Sequence, residues 1–245
     1  MSWIATGGEQ SVDLRAPDGS VTTHGSVATG RFRTAEVRGL EPDSEYRYRI
    51  ADEPAWHAFR TMPVQTERFE FAIVGDLQPF NRETDRTTTL VMDKVDSLDP
   101  LFALQMGDVT EVGISNGSWE RALRILSRLG ARTPLAVVAG NHDYYYGIPS
   151  ARTFKRVFPA PYATTDGAAG EDEYARSNTW YSTTVGPLHI AVLDTEADGD
   201  DFDRQLAWLE TDLEEARSAA IPWVFIAMHR PVLATTVSTD DPRWA

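Results

Sequence analysis

What the sequence lacks excludes several classes of protein. It contains no cysteine in 245 residues, so disulfide bonds and metal sites built from thiolates are excluded, and the redox state of its compartment stays open. No apolar run approaches the ~18 residues of a membrane-spanning helix, so we expect no membrane insertion. Residues 1–20 lack a charged segment followed by an apolar one, and no signal peptide is therefore visible in the sequence.

Basic residues are scarce. Lysine and arginine number 23 against 37 aspartates and glutamates, which gives a formal net charge of −14. Lys94 and Lys155 are the only lysines, and no basic cluster occurs anywhere in the sequence. A protein that binds the phosphate backbone of a nucleic acid, or an anionic membrane surface, needs such a cluster. We therefore expect no nucleic-acid partner.

Residues 1–62 have the pattern of an all-β domain. Short runs are separated by turns that contain glycine or proline, and no stretch has a helical period. The clearest runs are Ser2–Ala5, Ser11–Arg15 and Arg33–Val37. The segment from Leu40 to Tyr48 resembles the tyrosine corner of fibronectin-type-III sandwiches, where a buried tyrosine hydroxyl bonds back to the main chain. We expect Trp3 to be a core tryptophan. A complete sandwich takes roughly 90–100 residues, so we expect this one to be incomplete and to lack its first strand.

Residues 68–245 predict an α/β domain. Short apolar runs rich in β-branched residues alternate with segments of helical period, as in sheets buried on both faces. The expected strands are Phe69–Val74, Leu101–Met106, Leu135–Ala139, His189–Leu193 and Trp223–Met228. One expected helix has Ser118 as its N-cap and Gly130 as its stop, and a second covers Phe202–Ala216. The stretch 144–180 has an irregular pattern, with one short helix expected near Phe154.

Four of these strands end in residues that bind divalent metals. The segments are Gly75-Asp76-Leu77-Gln78, Gly107-Asp108-Val109-Thr110-Glu111, Gly140-Asn141-His142-Asp143 and His229-Arg230-Pro231. Ligands of α/β sheets sit beyond the carboxyl ends of the strands, so these segments can converge. Glycine before each of the first three lets the main chain turn tightly near an ion. Carboxylate, imidazole and amide ligands suit Mn, Fe or Zn, and two such ions ~3.5–4 Å apart clamp both oxygens of an in-line displacement at phosphorus.

This series of motifs resembles the calcineurin-like metallophosphoesterases. More particularly, it is similar to the bacterial and archaeal relatives of purple acid phosphatases, which carry a fibronectin-like domain in front. The resemblance covers nearly the whole chain, and Gly-Asn-His-Asp after a buried strand is its most specific motif. It implies two packed β-sheets flanked by helices in residues 68–245, hydrolysis of phosphate esters with two divalent ions, and an extracellular or cell-envelope location.

The resemblance also implies a set of metal ligands. Asp76 would hold the first ion, with the amide oxygen of Gln78 as a further candidate ligand. Asp108 would bridge the pair, and Asn141 and His229 would hold the second ion. A metal-bound hydroxide would attack phosphorus, because the ions lower the pKa of bound water.

Other residues would act on the substrate. Asn141 and His142 would contact the phosphate, and His142 would act at the leaving oxygen as an acid or an electrostatic stabiliser. Asp143 would orient His142 through a hydrogen bond. Arg230 is a candidate phosphate contact because a guanidinium suits phosphate, and a structural ion pair is the alternative.

Two departures from the family pattern matter. The purple enzymes place glycine where Gln78 stands and a ligating tyrosine where Glu111 stands, so their colour and iron preference should not be transferred. No Gly-His-x-His motif follows His229 before Ala245, although that motif normally supplies one histidine to each metal. We therefore expect this chain to retain metal weakly and to have low or no activity.

Less specific interpretations remain open for several residues. Asp76 could be a helix cap, Gln78 a bystander and Glu111 a solvent-facing residue. Tyr144, Tyr145 and Tyr146 could line a substrate cleft or simply pack a long loop. The remaining histidines have structural interpretations, with His189 inside a strand and His24 and His57 on the surface.

Two functions of different classes fit the sequence. The first is a phosphoesterase that acts through bound metal. The second is a truncated or degenerate non-catalytic domain with a binding role through its β-sandwich. The first must bind divalent metal stoichiometrically and cleave an aryl phosphate, and the second need do neither.

Overall fold

The computed structural model describes most of the chain. The described residues are 1–5, 7, 10–51, 53–144, 151–159 and 179–231. Of the three successive tyrosines, Tyr145 and Tyr146 lie outside these ranges, so the interpretations of them stay predictions. No helix in the described ranges is long and apolar enough to cross a membrane.

Residues 2–60 form two antiparallel sheets, as the all-β pattern predicts. The strands are β1 (Ser2–Ile4), β2 (Ser11–Arg15), β3 (Val21–Gly25), β4 (Val27–Thr29), β5 (Phe32–Thr34), β6 (Glu45–Ile50) and β7 (His57–Arg60). One sheet has the order β1-β5-β4 and the other the order β3-β2-β6-β7. On β2, Val12 and Leu14 alternate with more exposed neighbours, the period-2 pattern of a strand with one buried face.

The tyrosine corner is present. The hydroxyl oxygen of Tyr46, a buried residue on β6, accepts a hydrogen bond of 2.9 Å from the main-chain N–H of Glu41. This bond fastens the loop before β6 to the strand, as the resemblance to fibronectin-type-III sandwiches predicts. Trp3 is only half-buried, and its indole N–H donates to the side-chain oxygen of Gln10 at 2.8 Å, so it is not a fully enclosed core residue.

The rest of the described chain alternates strands and helices. The strands are β8 (Ala72–Val74), β9 (Ala103–Gln105), β10 (Leu135–Val137), β11 (Tyr181–Val185), β12 (Leu188–Val192) and β13 (Trp223–Ala227). The helices are α1 (Arg82–Asp96), α2 (Asn116–Gly130), α3 (Asn141–Tyr144), α4 (Arg152–Val157) and α5 (Gly199–Ser218). Each of the five expected strands is present; four are shorter by one to three residues, and β12 keeps its expected length but begins one residue earlier.

The strands form two further sheets. The first has the order β10-β9-β8 and is entirely parallel; in the second, β11-β12-β13, the β12–β13 pair is parallel. The register aligns the last residues of the first sheet, Val74, Gln105 and Val137. The same holds for Val192 and Ala227 in the second sheet. Segments that follow these strands therefore leave each sheet at a shared edge.

Two hydrophobic clusters hold the layers together. One lies between the two sheets and includes Leu104, Val138 and Ile190. The other lies on the outer face of the first sheet, where Trp119 and Leu129 of α2 are fully buried. This is the arrangement of two packed sheets with helices outside that the resemblance implied.

The helix boundaries have local causes. At α1, Asn81 and Thr84 form a reciprocal capping box. At α2, the N-cap is Ser115, whose hydroxyl accepts from the N–H of Ser118, so the expectation that Ser118 is the cap is wrong by one turn. Gly130 ends α2 as expected.

The all-β region packs directly on the α/β region. Phe32 of β5 belongs to the same cluster as Trp119. The Tyr48 hydroxyl donates to the carbonyl of Ala131 at 2.8 Å, and Arg31 pairs with Glu120 at 2.6 Å. The two regions therefore share a core, and the boundary between residues 62 and 68 stays a prediction.

Candidate metal centre

The strand-end segments meet at one edge of the two sheets. Asp76 follows β8, Asp108 follows β9 and Asn141 begins α3 directly after β10. His229 follows β13 in the second sheet. The first three leave the parallel sheet at aligned positions, and the face-to-face packing brings His229 to them.

The main chain around these residues adopts unusual conformations. Asp76, Gln78 and Asp108 have positive φ angles of 51°, 32° and 53°. The strands nevertheless stay linked beyond their ends, because Asp76 N–H donates to Gly107 O at 3.1 Å and Gln78 N–H to Asp108 O at 3.3 Å. Non-glycine residues hold such angles only where their surroundings impose them, and such residues cluster at functional sites.

Two glycines make the close approach possible. A Cβ atom on Gly107, whose φ is 91°, would lie 2.6 Å from Nδ1 of His229. A Cβ on Gly140 would lie 2.3 Å from both the main-chain nitrogen and Oδ1 of Asp108. Both distances are too short for any side chain, so glycine is required. Gly75 is less constrained, since its Cβ would meet Met106 Cβ at 3.2 Å.

The carboxylate of Asp108 is the centre of the site. Its Oδ1 accepts from the N–H of His142 at 2.9 Å, and its Oδ2 accepts from the amide nitrogen of Gln78 at 2.8 Å. Nε2 of His229 lies 3.4 Å from the same Oδ2. Burial by itself would raise the pKa of Asp108, but the hydrogen bonds from His229 and His142 and the imidazole charge outweigh it, and the net pKa is lowered.

His229 is oriented for ligation through one ring nitrogen. Nδ1 donates to the carbonyl of Met106 at 2.8 Å, and Nε2 faces Oδ1 of Asn141 at 3.1 Å. Burial by itself would lower the pKa of His229, but the contacts with Asp108 and Met106 and the charge of Asp76 raise it to about 9. A histidine whose Nδ1 is held by a carbonyl presents Nε2 to a metal, which is a common ligand geometry.

The donor set fits divalent ions. Asp76, Asp108 and His229 each offer one ligand atom, and these three atoms lie within 4.8 Å of one another. The amide oxygen of Asn141 adjoins them through His229. Carboxylate, imidazole and amide donors suit Mn, Fe or Zn. In the structure, the side chain of Gln78 contacts Asp108, so the ligand role predicted for its oxygen is compatible with its position but stays a prediction.

The expected hydrogen bond between Asp143 and His142 is not made. The Asp143 carboxylate is buried and accepts from three main-chain N–H groups, those of Gly140, Thr110 and Val109, at 3.0, 3.1 and 3.4 Å. Burial raises the pKa of Asp143 to about 7, although these hydrogen bonds oppose the rise. The short helix α3 turns this side chain back into the loop, so Asp143 holds the main chain of the site rather than the ring.

His142 is oriented by a different group. Its Nδ1 faces the main-chain carbonyl of Glu111 at 3.0 Å, and the Glu111 carboxylate lies 3.9 Å away. Its carbonyl accepts from Gly113 N–H at 2.8 Å. The loop after β9 therefore positions the residue that the motif predicts to act at the leaving oxygen.

Arg230 makes the structural ion pair that we gave as the alternative. Its Nε and one terminal nitrogen contact the two carboxylate oxygens of Glu196. Its main-chain N–H donates to Thr195 at 3.3 Å. The direct phosphate contact predicted for Arg230 stays a prediction, since a guanidinium carries five N–H donors and this pair engages two of its nitrogens.

The other histidines have non-catalytic surroundings. His189 is buried, with Nε2 2.8 Å from Asp212 and Nδ1 2.9 Å from Thr184, in agreement with its structural interpretation. His24 and His57 are half-buried on β3 and β7, less exposed than expected.

Sequence reasoning missed several polar residues around the site. Gln105 is fully buried, and its side-chain amide both accepts from Gly107 N–H and donates to Gly107 O, which fixes that turn. Asp194, which accepts a hydrogen bond from Tyr144 of α3, and Gln205, which accepts from the N–H of Asp194, are also fully buried. The strand-end rule could have found Asp194, because it follows β12 as Asp108 follows β9.

Comparisons with known proteins find a matching family and several relatives. The sequence profile described as calcineurin-like phosphoesterase matches residues 69–244. The chain is 28% identical over 204 residues to purple acid phosphatase 22 of Arabidopsis thaliana, covering 83% of this chain and 44% of that protein. It is 26% identical over 221 residues to acid phosphatase type 7 of Homo sapiens, covering 84% and 46%.

The fold is similar to a solved structure. A purple acid phosphatase isolated from yellow lupin (Lupinus luteus) seeds superposes with a TM-score of 0.67 and 17% identity, covering 92% of this chain and 47% of that one. At this identity the likeness concerns the fold. The chain spans less than half the length of these similar proteins.

Proposed function

The chain belongs to the calcineurin-like phosphoesterase family, and we propose that it hydrolyses phosphate esters at the site formed by Asp76, Asp108 and His229. The observation that carries the proposal is the convergence of ligand atoms from three separate strand ends, from both sheets, within 4.8 Å. The family implies a dinuclear metal centre. A buried carboxylate at the middle of the set, Asp108, fits the role of the shared ligand.

The ligands divide between two positions. Asp76 and Asp108, with Gln78 beside them, would hold one ion, and Asp108, Asn141 and His229 would hold the other. The hydrogen bond from His229 Nδ1 to Met106 keeps Nε2 directed at this second position. When bound, the two ions would lower the pKa of water and offset charge on the phosphoryl oxygens. We propose Mn²⁺ or a similar ion, since the ligating tyrosine of purple enzymes is replaced by Glu111.

His142 is the residue proposed to act on the leaving oxygen. Its Nδ1 is held by the carbonyl of Glu111, so the proton exchanged with the substrate would be carried on Nε2. Asn141 would contact both the second ion and the phosphate. Arg230 would contribute indirectly, since its ion pair with Glu196 fixes the segment that carries His229.

Several finer points belong to the same proposal. Residues 1–62 would form a fibronectin-like domain packed on residues 68–245, which would carry the chemistry. The substrate would be a phosphate ester rather than a nucleic acid, because the net charge of −14 disfavours a polyanion. The family resemblance favours an extracellular or cell-envelope location.

Metal titration and an aryl-phosphate assay test the proposal. We expect the chain to bind Mn²⁺, though weakly, in isothermal titration, and we expect any cleavage of the aryl phosphate, which should be slow, to require Mn²⁺. Asp108→Asn should lose both properties. Asp13→Asn, a change on strand β2 of the all-β region that touches none of the proposed ligands, is the matched control and should retain them. A chain that binds no metal and cleaves nothing, although correctly folded, would instead be the non-catalytic binding domain.

A further inference from the structure

The two ligands proposed for the second ion come from different sheets. Asn141 follows β10 of the first sheet, and His229 follows β13 of the second. Their side chains lie 3.1 Å apart, between Oδ1 and Nε2. The spacing of these two atoms therefore depends on how the two sheets are fixed to each other at this edge.

Asp194 is a buried carboxylate at that edge. It follows β12 in the second sheet and is 0% exposed. Gln205 of α5 fixes its main chain, accepting from Asp194 N–H at 2.7 Å and donating to Asp194 O at 3.0 Å. Asp194 is therefore held rigidly to the second sheet and its outer helix. The metal site as described makes no use of it.

One hydrogen bond of Asp194 crosses to the first sheet. Tyr144 donates its hydroxyl to Oδ2 of Asp194, and Tyr144 is the last residue of α3, the helix that Asn141 begins. Thr179 donates its hydroxyl to the same Oδ2. Because Thr179 lies just before β11, that bond stays within the second sheet. The two hydroxyl groups thus share one acceptor atom but link different parts of the molecule.

A second branch from Asp194 leads to His229. Oδ1 of Asp194 accepts from the N–H of Glu196 at 2.9 Å. Glu196 forms the ion pair with Arg230, the residue after His229. One carboxyl group is therefore connected to the segments of both Asn141 and His229, within three residues of each.

We propose that Asp194, acting through Tyr144, is a positioning residue that sets the spacing between Asn141 and His229 and so tunes the affinity of the second metal position. The predicted effect on metal affinity rests on the proposed function. The hydrogen-bond link from Asp194 through Tyr144 to α3, which we call the tie, does not depend on that function. Partners that orient metal ligands typically change metal affinity by about 10–100-fold when they are removed. The tie differs from a general stabilising contact because its loss should lower the affinity for one of the two adjacent ions and not for the other.

Tyr144→Phe and Thr179→Val form a matched pair of variants. Each removes one hydroxyl from the same oxygen of Asp194, but only the first removes the link between sheets. In Mn²⁺ titration we expect Tyr144→Phe to weaken one of the two binding steps by about tenfold or more while the other step is retained. Electron paramagnetic resonance should then show loss of the spin-coupled Mn pair at concentrations that fill it in the parent protein. Thr179→Val should leave both steps and the coupled signal unchanged.

Hydrogen exchange in the metal-free protein tests the tie without any ion. Tyr144→Phe should speed exchange by about threefold or more in peptides that cover residues 137–144 and 227–231. Thr179→Val should speed it only near 179–185. If both variants show the same exchange pattern, the inference is wrong. If the parent protein binds no Mn²⁺ but the exchange patterns differ as stated, the tie stands and the proposed function fails.

Discussion

Nε2 of His229 lies 3.4 Å from Oδ2 of Asp108, so a proton and a metal ion compete for the same two atoms. Without an ion, the imidazolium and the carboxylate form a charged pair, which is why the pKa of the histidine rises to about 9 while that of the aspartate falls. This pair stabilises the metal-free fold fully between the ordinary aspartate pKa of 3.8 and the ordinary histidine pKa of 6.5. Its contribution is lost as pH rises through about 9, where His229 loses its proton, and at low pH, where Asp108 gains one. A bound metal ion would take the place of the proton on Nε2 of His229, and its positive charge would attract the Asp108 carboxylate in the same way.

Metal binding should therefore release a proton from His229. Below pH 9 the apparent Mn²⁺ association constant should rise by about tenfold per pH unit if one proton leaves per ion. Proton release is best measured at pH 8, which lies below the pKa of His229 and above the pKa of about 7 of buried Asp143. Isothermal titration in buffers with different ionisation enthalpies gives the number of protons directly. Binding without proton release at pH 8 would show that His229 is not a ligand.

The roles of Asp108 and His142 can be separated by substitution. Asp108→Ala should abolish binding of both ions, because it removes the shared carboxylate. His142→Ala should spare metal binding and slow turnover by ~10²–10⁴-fold, the usual effect of losing a general acid. Metal content by mass spectrometry and kcat for an aryl phosphate measure the two effects. Our assignment is reversed if His142→Ala empties the site while Asp108→Ala leaves it filled.

Much of this fold could be predicted because buried parallel strands have a simple pattern. Leu135–Val137 and Leu188–Val192 are short apolar runs of this kind, one in each sheet. Within each sheet the parallel register aligns the strand ends, which predicts that the residues after them meet. Helix α1 was not predicted. Only Thr88 and Met92 of α1 are buried, so its sequence has a weak apolar face, and its capping box at Asn81 is the stronger signal.

The limits of sequence reasoning at the site have a structural cause. Ligand identity follows from residue type and strand-end position, which is why Asp76, Asp108 and His229 could be named together. Hydrogen-bond direction depends on the turn that follows, and α3 directs Asp143 toward main-chain N–H groups instead of the ring of His142. Contacts across 50 residues, such as Tyr144 with Asp194, leave no local pattern at all.

The metal-loaded protein should have no purple colour. Purple enzymes owe it to a tyrosinate ligand on iron, and Glu111 occupies that position here, with its carboxylate near His142. An iron-loaded sample should therefore lack a tyrosinate-to-iron charge-transfer band in the visible spectrum. Glu111→Tyr tests the cause in the opposite direction, because a band that appears only in this variant would show that position 111 reaches the metal. A band in the unsubstituted protein would contradict the prediction.

Gly140 should tolerate no side chain, and its substitution should damage the site more than the fold. In Gly140→Ala the new methyl group would lie 2.3 Å from Asp108 Oδ1, so the loop that carries Asn141 must move away from the shared carboxylate. We expect a stability loss in the range of about 1–3 kcal/mol for overpacking, together with loss of measurable Mn²⁺ binding.

Gly117→Ala is the control. Its Cβ would meet only Ser115 Oγ, at 3.9 Å, within helix α2, so stability should be unchanged or slightly higher. Thermal unfolding and Mn²⁺ titration of both variants provide the comparison. Normal metal affinity in Gly140→Ala would mean that the ions do not depend on the close approach of the two strand ends, and the proposed site would have to be abandoned.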